Sequence, residues 1–181
     1  MRKSLLFLLL IVPVAGCGER REAAAPLAAN APPPAQSVVE VGRPMPSYSA
    51  ELLDGSTFDV AKERGNVLFL NLWATWCGPC RYEIPELEKL HNEHLAERFK
   101  VVGVSVDEGG DQVVREFVEE QRMTYPIVLD PEGRLAMLFD TMILPTSAIV
   151  DRNGTVIWKK IGVVSLGDAE MMRAIEQALK S

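Results

Sequence analysis

Val67-Leu68-Phe69-Leu70-Asn71-Leu72-Trp73, followed closely by Trp76-Cys77-Gly78-Pro79-Cys80, reads as a buried strand that ends at a pair of thiols. The run is apolar apart from Asn71 and does not alternate, as expected of a strand covered on both faces. Pro79 starts a helix, because proline is tolerated in the first turn, where its missing N–H would have no partner. The two cysteines then lie within one turn, and their Cα atoms can reach the roughly 4.4–6.8 Å that a disulfide requires. Cys77 falls at the helix N-terminus, whose free N–H groups and dipole favour an anion by about 0.3–1 kcal/mol, or about 2 when partly buried. Such a field lowers a thiol from about 8.5 by roughly one pH unit. The pattern is that of a redox site in which Cys77 attacks as thiolate and Cys80 resolves the mixed disulfide.

Other uses of a cysteine pair fit less well. Zinc needs further ligands, and the remaining cysteine, Cys17, falls in an apparent leader. Haem attachment needs histidine after the second cysteine, where this chain has Arg81. An inert disulfide over so short a loop removes little unfolded-state entropy. No cofactor and no metal are expected.

Working outward, the N-terminus opens with Met1-Arg2-Lys3, runs apolar from Leu5 to Val12, and breaks at Pro13. This core is too short for the roughly 20 residues that span a bilayer, so it reads as a secretory signal. Val14-Ala15-Gly16-Cys17 resembles the lipobox of bacterial lipoproteins, which implies cleavage and acylation of Cys17 and hence a lipid anchor in the membrane. An ordinary signal peptide is the alternative. Residues 18–37, with Ala31-Pro32-Pro33-Pro34-Ala35, show no hydrophobic period and read as a disordered Ala/Pro-rich tether. As a coil it would reach on the order of 25 Å. The expected organisation is a lipoprotein signal at 1–17, the tether at 18–37 and one folded domain at 38–181.

The chain has 181 residues, 48% hydrophobic, with a net charge of −6. Residues 1–17 carry Arg2, Lys3 and no acid, so their removal takes the charge to −8. Such a balance, without basic clusters, argues against nucleic acid as a partner and against a polybasic membrane contact. Secretion places the protein where disulfides persist, yet the mature domain keeps only the Cys77/Cys80 pair, so its cysteines serve chemistry and not stapling.

Within the domain, Tyr48–Leu53 and Thr57–Val60 around Asp54-Gly55 read as a hairpin. Asn66–Trp73 and Phe99–Val106 are buried strands, and Pro79 to about Arg98 is a helix that Pro85 should kink. Asp111–Arg122 has helical spacing of Val113, Val114, Phe117 and Val118. A strand at Pro126–Leu129 and a short helix at Arg134–Phe139 follow. Ser147–Asp151 and Thr155–Lys160 flank Asn153-Gly154, a strong hairpin signal, and Asp168 caps a last helix to Leu179. The sum is an α/β domain: a mixed central sheet with helices on both faces and an N-terminal hairpin.

Asn71 through Pro85, then Val102-Gly103-Val104-Ser105-Val106-Asp107, then Leu144-Pro145-Thr146-Ser147, together resemble the extracytoplasmic, membrane-anchored thioredoxin-like thiol-disulfide oxidoreductases of the TlpA/ResA type, over roughly residues 40–181. The resemblance implies a thioredoxin-like fold. It implies that Pro145 is the family's cis-proline, packed opposite the cysteines, with the Leu144 backbone facing the substrate chain. It also implies that Glu83 is the acidic residue three positions past the second cysteine, exchanging protons with the thiols; a solvated helix carboxylate is the alternative. Trp73 and Trp76 would lie beside the site, with Trp76 contacting a partner. Where thioredoxin has a buried aspartate before its motif this chain has Asn71, which removes one candidate proton acceptor. His91 and His94 are read as solvated helix positions, and Met137, Met142, Met171 and Met172 as core.

Three functions compete. The first is a lipid-anchored, periplasmic-side enzyme that exchanges disulfides with protein partners. It would reduce them, apocytochromes in cytochrome c biogenesis included, with electrons from a membrane donor. The second is a Cu(I) metallochaperone using the same thiols, although copper-carrying relatives use a longer cysteine spacing and a distant histidine. The third is a peroxidase, for which paired cysteines are the wrong pattern.

Overall fold

The computed structural model describes residues 38–180. In chain order the elements are β1 (Ser49–Leu52), β2 (Thr57–Asp59), β3 (Val67–Trp73), α1 (Gly78–Glu93), β4 (Phe99–Ser105), α2 (Asp111–Gln121), β5 (Ile127–Leu129), α3 (Arg134–Leu138), β6 (Thr146–Val150), β7 (Val156–Ile161) and α4 (Ala169–Lys180). The strands form one mixed sheet in the order β2-β1-β5-β4-β3-β6-β7. All of β3 is buried, because it has parallel β4 on one side and antiparallel β6 on the other. Helices on both faces complete its burial, as the unbroken apolar run requires.

The period of two along β3 sorts its side chains. Val67, Phe69 and Trp73 join a core with α1, α2 and α4, while Leu68, Leu70 and Leu72 join one with the N-terminal hairpin and α3. Asn71 shares the parity of Phe69 and Trp73, so it is a polar group on the face that α1 covers. The carboxyl ends of β3 and β4 point to one edge, where crevices in such sheets form.

The hairpins form where expected, with Ala50 opposite Phe58 and the Asn153-Gly154 turn joining β6 to β7. Gly154 takes a φ of +75°, a conformation that favours glycine. The helix expected to run to Arg98 ends at Glu93 instead, having continued through Pro85. A short 3₁₀ turn at Leu95–Glu97 follows, and Arg98 adopts a left-handed φ of 55° to enter β4.

Two further expectations are corrected. His91 is not solvated: it lies on the stripe of Ile84, Leu87 and Leu90 and is buried. Its Nδ1 accepts the Val101 N–H at 3.4 Å, its ring meets the Tyr125 ring edge-on, and burial holds its pKa below the usual histidine value. His94 is only partly exposed, with its Nδ1 2.9 Å from the Glu97 carboxylate. Met171 is core and Met172 packs against it, but Met137 and Met142 are exposed, at 54% and 90%. In α3 the buried face is Leu135 and Ala136, which leaves Met137 outside, and Met142 sits in the loop before β6. The expected signal, Cys17 and the tether lie outside the described residues. Among those described, no helix is long and apolar enough to cross a membrane.

Candidate functional site

The chain leaves β3 at Trp73, makes a short loop and enters α1 with Cys77 as N-cap and Pro79 in the first turn. Cys77 and Cys80 are joined in a disulfide with Cα atoms 5.3 Å apart. The cap uses sulfur: Cys77 Sγ accepts the Cys80 N–H at 3.2 Å, one of the donors that a helix start leaves free. That bond and the helix dipole stabilise negative charge on Cys77 when the disulfide opens. Both cysteines are buried, Cys80 almost completely, while the neighbouring Trp76 is 70% exposed. Of the two tryptophans expected here, Trp73 lies in the core beside the cysteines and Trp76 stands outside.

Asp107 holds the loop between strand and helix. Its carboxylate accepts the Thr75 N–H at 3.0 Å and the Thr75 hydroxyl at 2.6 Å, and the Ser105 hydroxyl at 2.7 Å. On the other side, Arg81 donates to the Thr75 carbonyl at 3.2 Å and lies over the Phe117 ring at 4.9 Å. These contacts fix the backbone that presents Cys77. The sequence offered Asp107 only as the end of a family motif, without a role, because its partner Thr75 is 32 positions away and meets it only when β3 and β4 pair.

The Leu144–Pro145 peptide bond is cis. Thr146 pairs with Leu72, so Pro145 arrives at the end of the sheet where the disulfide lies. The Thr146 hydroxyl donates to the Ile143 carbonyl, and the Pro145 carbonyl accepts the Gly162 N–H, at 2.7 and 2.8 Å. Leu144 is half-buried and packs against the core that contains both cysteines.

Glu83 is not solvated. It is 1% exposed, one turn past Cys80, where side chains at i and i+3 lie about 5–6 Å apart at Cβ. Its Oε1 accepts from Asn71 Nδ2 at 2.7 Å and its Oε2 from the Val164 N–H at 2.9 Å. Asn71 Nδ2 also donates to Ser147 Oγ at 3.1 Å. Burial pushes the Glu83 pKa up to about 7, against the two hydrogen bonds and the nearby Lys160, which lower it. A carboxyl poised there can take a proton from a thiol and return it near neutral pH. Asn71, expected only as a lost acceptor, is thus the group that holds this one. Val164 has no sequence signal for the site, since it contributes only its backbone, and Ser147 stood in the sequence only as the end of the Leu144-Pro145-Thr146-Ser147 motif, with no role attached. Among the described residues, no group of three or more His, Cys, Asp or Glu could hold a metal ion.

A sequence-family model, the AhpC/TSA family, matches residues 41–159. The chain belongs to the AhpC/TSA family. It is 33% identical to the thioredoxin-like protein YneN of Bacillus subtilis over 134 residues, 73% of this chain and 78% of that one. It is also 29% identical to the thiol-disulfide oxidoreductase ResA of Bacillus thuringiensis over 119 residues, covering 66% of this chain and 68% of that protein. Among solved structures, a thiol:disulfide interchange protein of the thioredoxin family from Chlorobium tepidum superposes with a TM-score of 0.64 at 30% identity, over 76% of this chain and 96% of that one. The fold is thioredoxin-like, and the enzyme class is thiol-disulfide oxidoreductase, with Cys77 and Cys80 forming a CXXC disulfide.

Proposed function

We propose that this protein reduces disulfides in extracytoplasmic proteins, apocytochromes c awaiting haem among them. It is read as a lipoprotein with a signal at 1–17, a lipidated Cys17, a tether at 18–37 and the catalytic domain at 38–181. The Cys77 thiolate attacks one sulfur of a substrate disulfide and forms a mixed disulfide; the released substrate sulfur takes a proton from water. Cys80 then passes its proton to Glu83 and attacks Cys77. This re-forms the Cys77–Cys80 bond, and the second substrate thiolate leaves and is protonated. Two electrons pass from the enzyme dithiol to the substrate, and a membrane donor dithiol restores them. The substrate chain lies along Leu144 and Pro145, with Trp76 as a contact at the rim.

The observation that carries this reading is the unequal placement of the thiols: Cys77 caps the helix beside exposed Trp76, whereas Cys80 is buried one turn from a buried carboxyl. The C-G-P-C dipeptide supports the reducing direction, since thioredoxin sits near −270 mV and the oxidant DsbA near −120 mV. Equilibration with glutathione tests it. The expected potential is about −250 mV or lower, and a value near −120 mV would make the protein an oxidase.

A further inference from the structure

The two polar bonds to Glu83 come from Asn71 on β3 and from Val164 in the loop after β7, and each donor is tied to a segment next to Pro145. Ser147, two residues past Pro145 at the start of β6, is fully buried and receives one Asn71 Nδ2 hydrogen at 3.1 Å, while the other goes to Glu83 Oε1 at 2.7 Å. Val164 follows Gly162, whose N–H is bonded to the Pro145 carbonyl, and supplies the donor to Oε2. An amide nitrogen carries two hydrogens, so the Asn71 side chain cannot rotate without breaking one of these bonds. Asn71 faces Ser147 directly in the β3–β6 ladder, which fixes the separation of the two side chains independently of the hydrogen bonds.

From this geometry we infer that Asn71 and Ser147 are positioning residues for Glu83: Ser147 orients the Asn71 amide, and the amide holds Oε1 so that the carboxylate stays directed at Cys80. The inference rests on Glu83 being the proton acceptor of the second step. Each carboxylate oxygen has two acceptor sites; Asn71 and Val164 take one on each, which leaves sites open to the Cys80 thiol. An acid without the Asn71 bond would be free to turn toward other partners. The charged and titratable groups around it are Cys80 on its own helix, Lys160 on β7, itself paired with Asp168, and Tyr125 ahead of β5, whose hydroxyl is buried without a partner. None of these is hydrogen-bonded to the carboxylate in the folded protein, whose partners among the described residues are the Asn71 amide and the Val164 N–H. A hydrogen bond to the charged form favours that form, so its loss displaces proton transfer to higher pH.

The test follows the two steps separately, with oxidised glutathione as probe and reduced full-length protein, by stopped flow from pH 5 to 9. Release of the first glutathione reports attack by Cys77, and release of the second reports resolution by Cys80. In Asn71→Ala and Ser147→Ala the acid limb of the second step should move up by about one pH unit, a loss of about tenfold in rate on that limb. The first step should not share the shift. Ser147→Thr retains a hydroxyl and should restore the wild-type limb, which separates positioning from a general loss of packing. Should Asn71→Ala fail to fold, the Ser147 pair decides alone. Wild-type limbs in these variants, with the limb abolished in Glu83→Gln, would overturn the positioning inference and keep Glu83 as acceptor. A wild-type limb in Glu83→Gln would overturn both.

Discussion

Glu83→Gln should make the stability of the oxidised protein less dependent on pH, in a window and by an amount set by the structure. In the unfolded chain this carboxyl titrates at its ordinary 4.5, whereas burial in the folded protein raises it to about 7. Between those values the native state holds a proton that the unfolded state has released, so stability falls as pH rises through the window. The full contribution is present below pH 4.5 and is lost above pH 7. At 1.36 kcal/mol for each pH unit, the gap corresponds to about 3 kcal/mol. Glutamine does not titrate, and it can still accept from Asn71, but its amide nitrogen would face the Val164 N–H. That mismatch adds an offset independent of pH. The assay is urea unfolding of the oxidised wild type and variant at intervals from pH 4 to 9, reading the difference in unfolding free energy. Groups common to both proteins cancel, including His91, whose lowered pKa acts in the opposite sense. Wild type should lose about 3 kcal/mol relative to the variant between pH 4 and 8, a midpoint change of at least about 1 M urea for a protein of this size. A difference that stays constant across this range would refute the account of Glu83 as a buried carboxyl with a raised pKa.

Cys77→Ser should abolish exchange, whereas Cys80→Ser should accumulate mixed disulfides with substrates, visible by non-reducing electrophoresis and identifiable by mass spectrometry; alkylation against pH should show Cys77 as the more reactive thiol, and the reverse order would exchange their roles. Gly103→Ala should destabilise the domain by about 1–3 kcal/mol in thermal or urea unfolding. Its added Cβ would lie 2.9 Å from Trp73 Nε1 and 3.0 Å from both Ile127 Cδ1 and Tyr125 Cε2; unchanged stability would mean that the packing under the site yields easily. Cys17→Ser should release the protein to the soluble extracytoplasmic fraction or leave it uncleaved, as fractionation would show, and correctly cleaved protein still held in the membrane would exclude the lipid anchor.

Local chemistry decided a large part of this protein before any tertiary contact. A seven-residue apolar run without alternation fits a strand buried on both faces, and Pro79 after Cys77-Gly78 starts a helix that has one thiol at its N-cap and the other in its first turn. Asn153-Gly154 dictates a tight hairpin because glycine takes positive φ without strain. Leu144-Pro145-Thr146 acquired its meaning through resemblance to a family, since by local rules alone it is a loop proline before a strand. His91 and Met137 depart from expectation, while Met171 and Met172 meet it, because periodicity gives the pattern of a helix face but not which face the sheet covers. His91 lies on the buried stripe of α1, and Met137 lies opposite the buried face of α3. What only the tertiary structure decided is the environment of Glu83. Asn71, Ser147 and Val164 are 12, 64 and 81 positions away in the chain, and pairing of β3 with β6 together with the fold of the loop after β7 brings them around one carboxyl. A proton affinity near neutrality arises from desolvation opposed by the Val164 and Asn71 donors and by Lys160, and desolvation belongs to the packed interior, not to any segment of sequence.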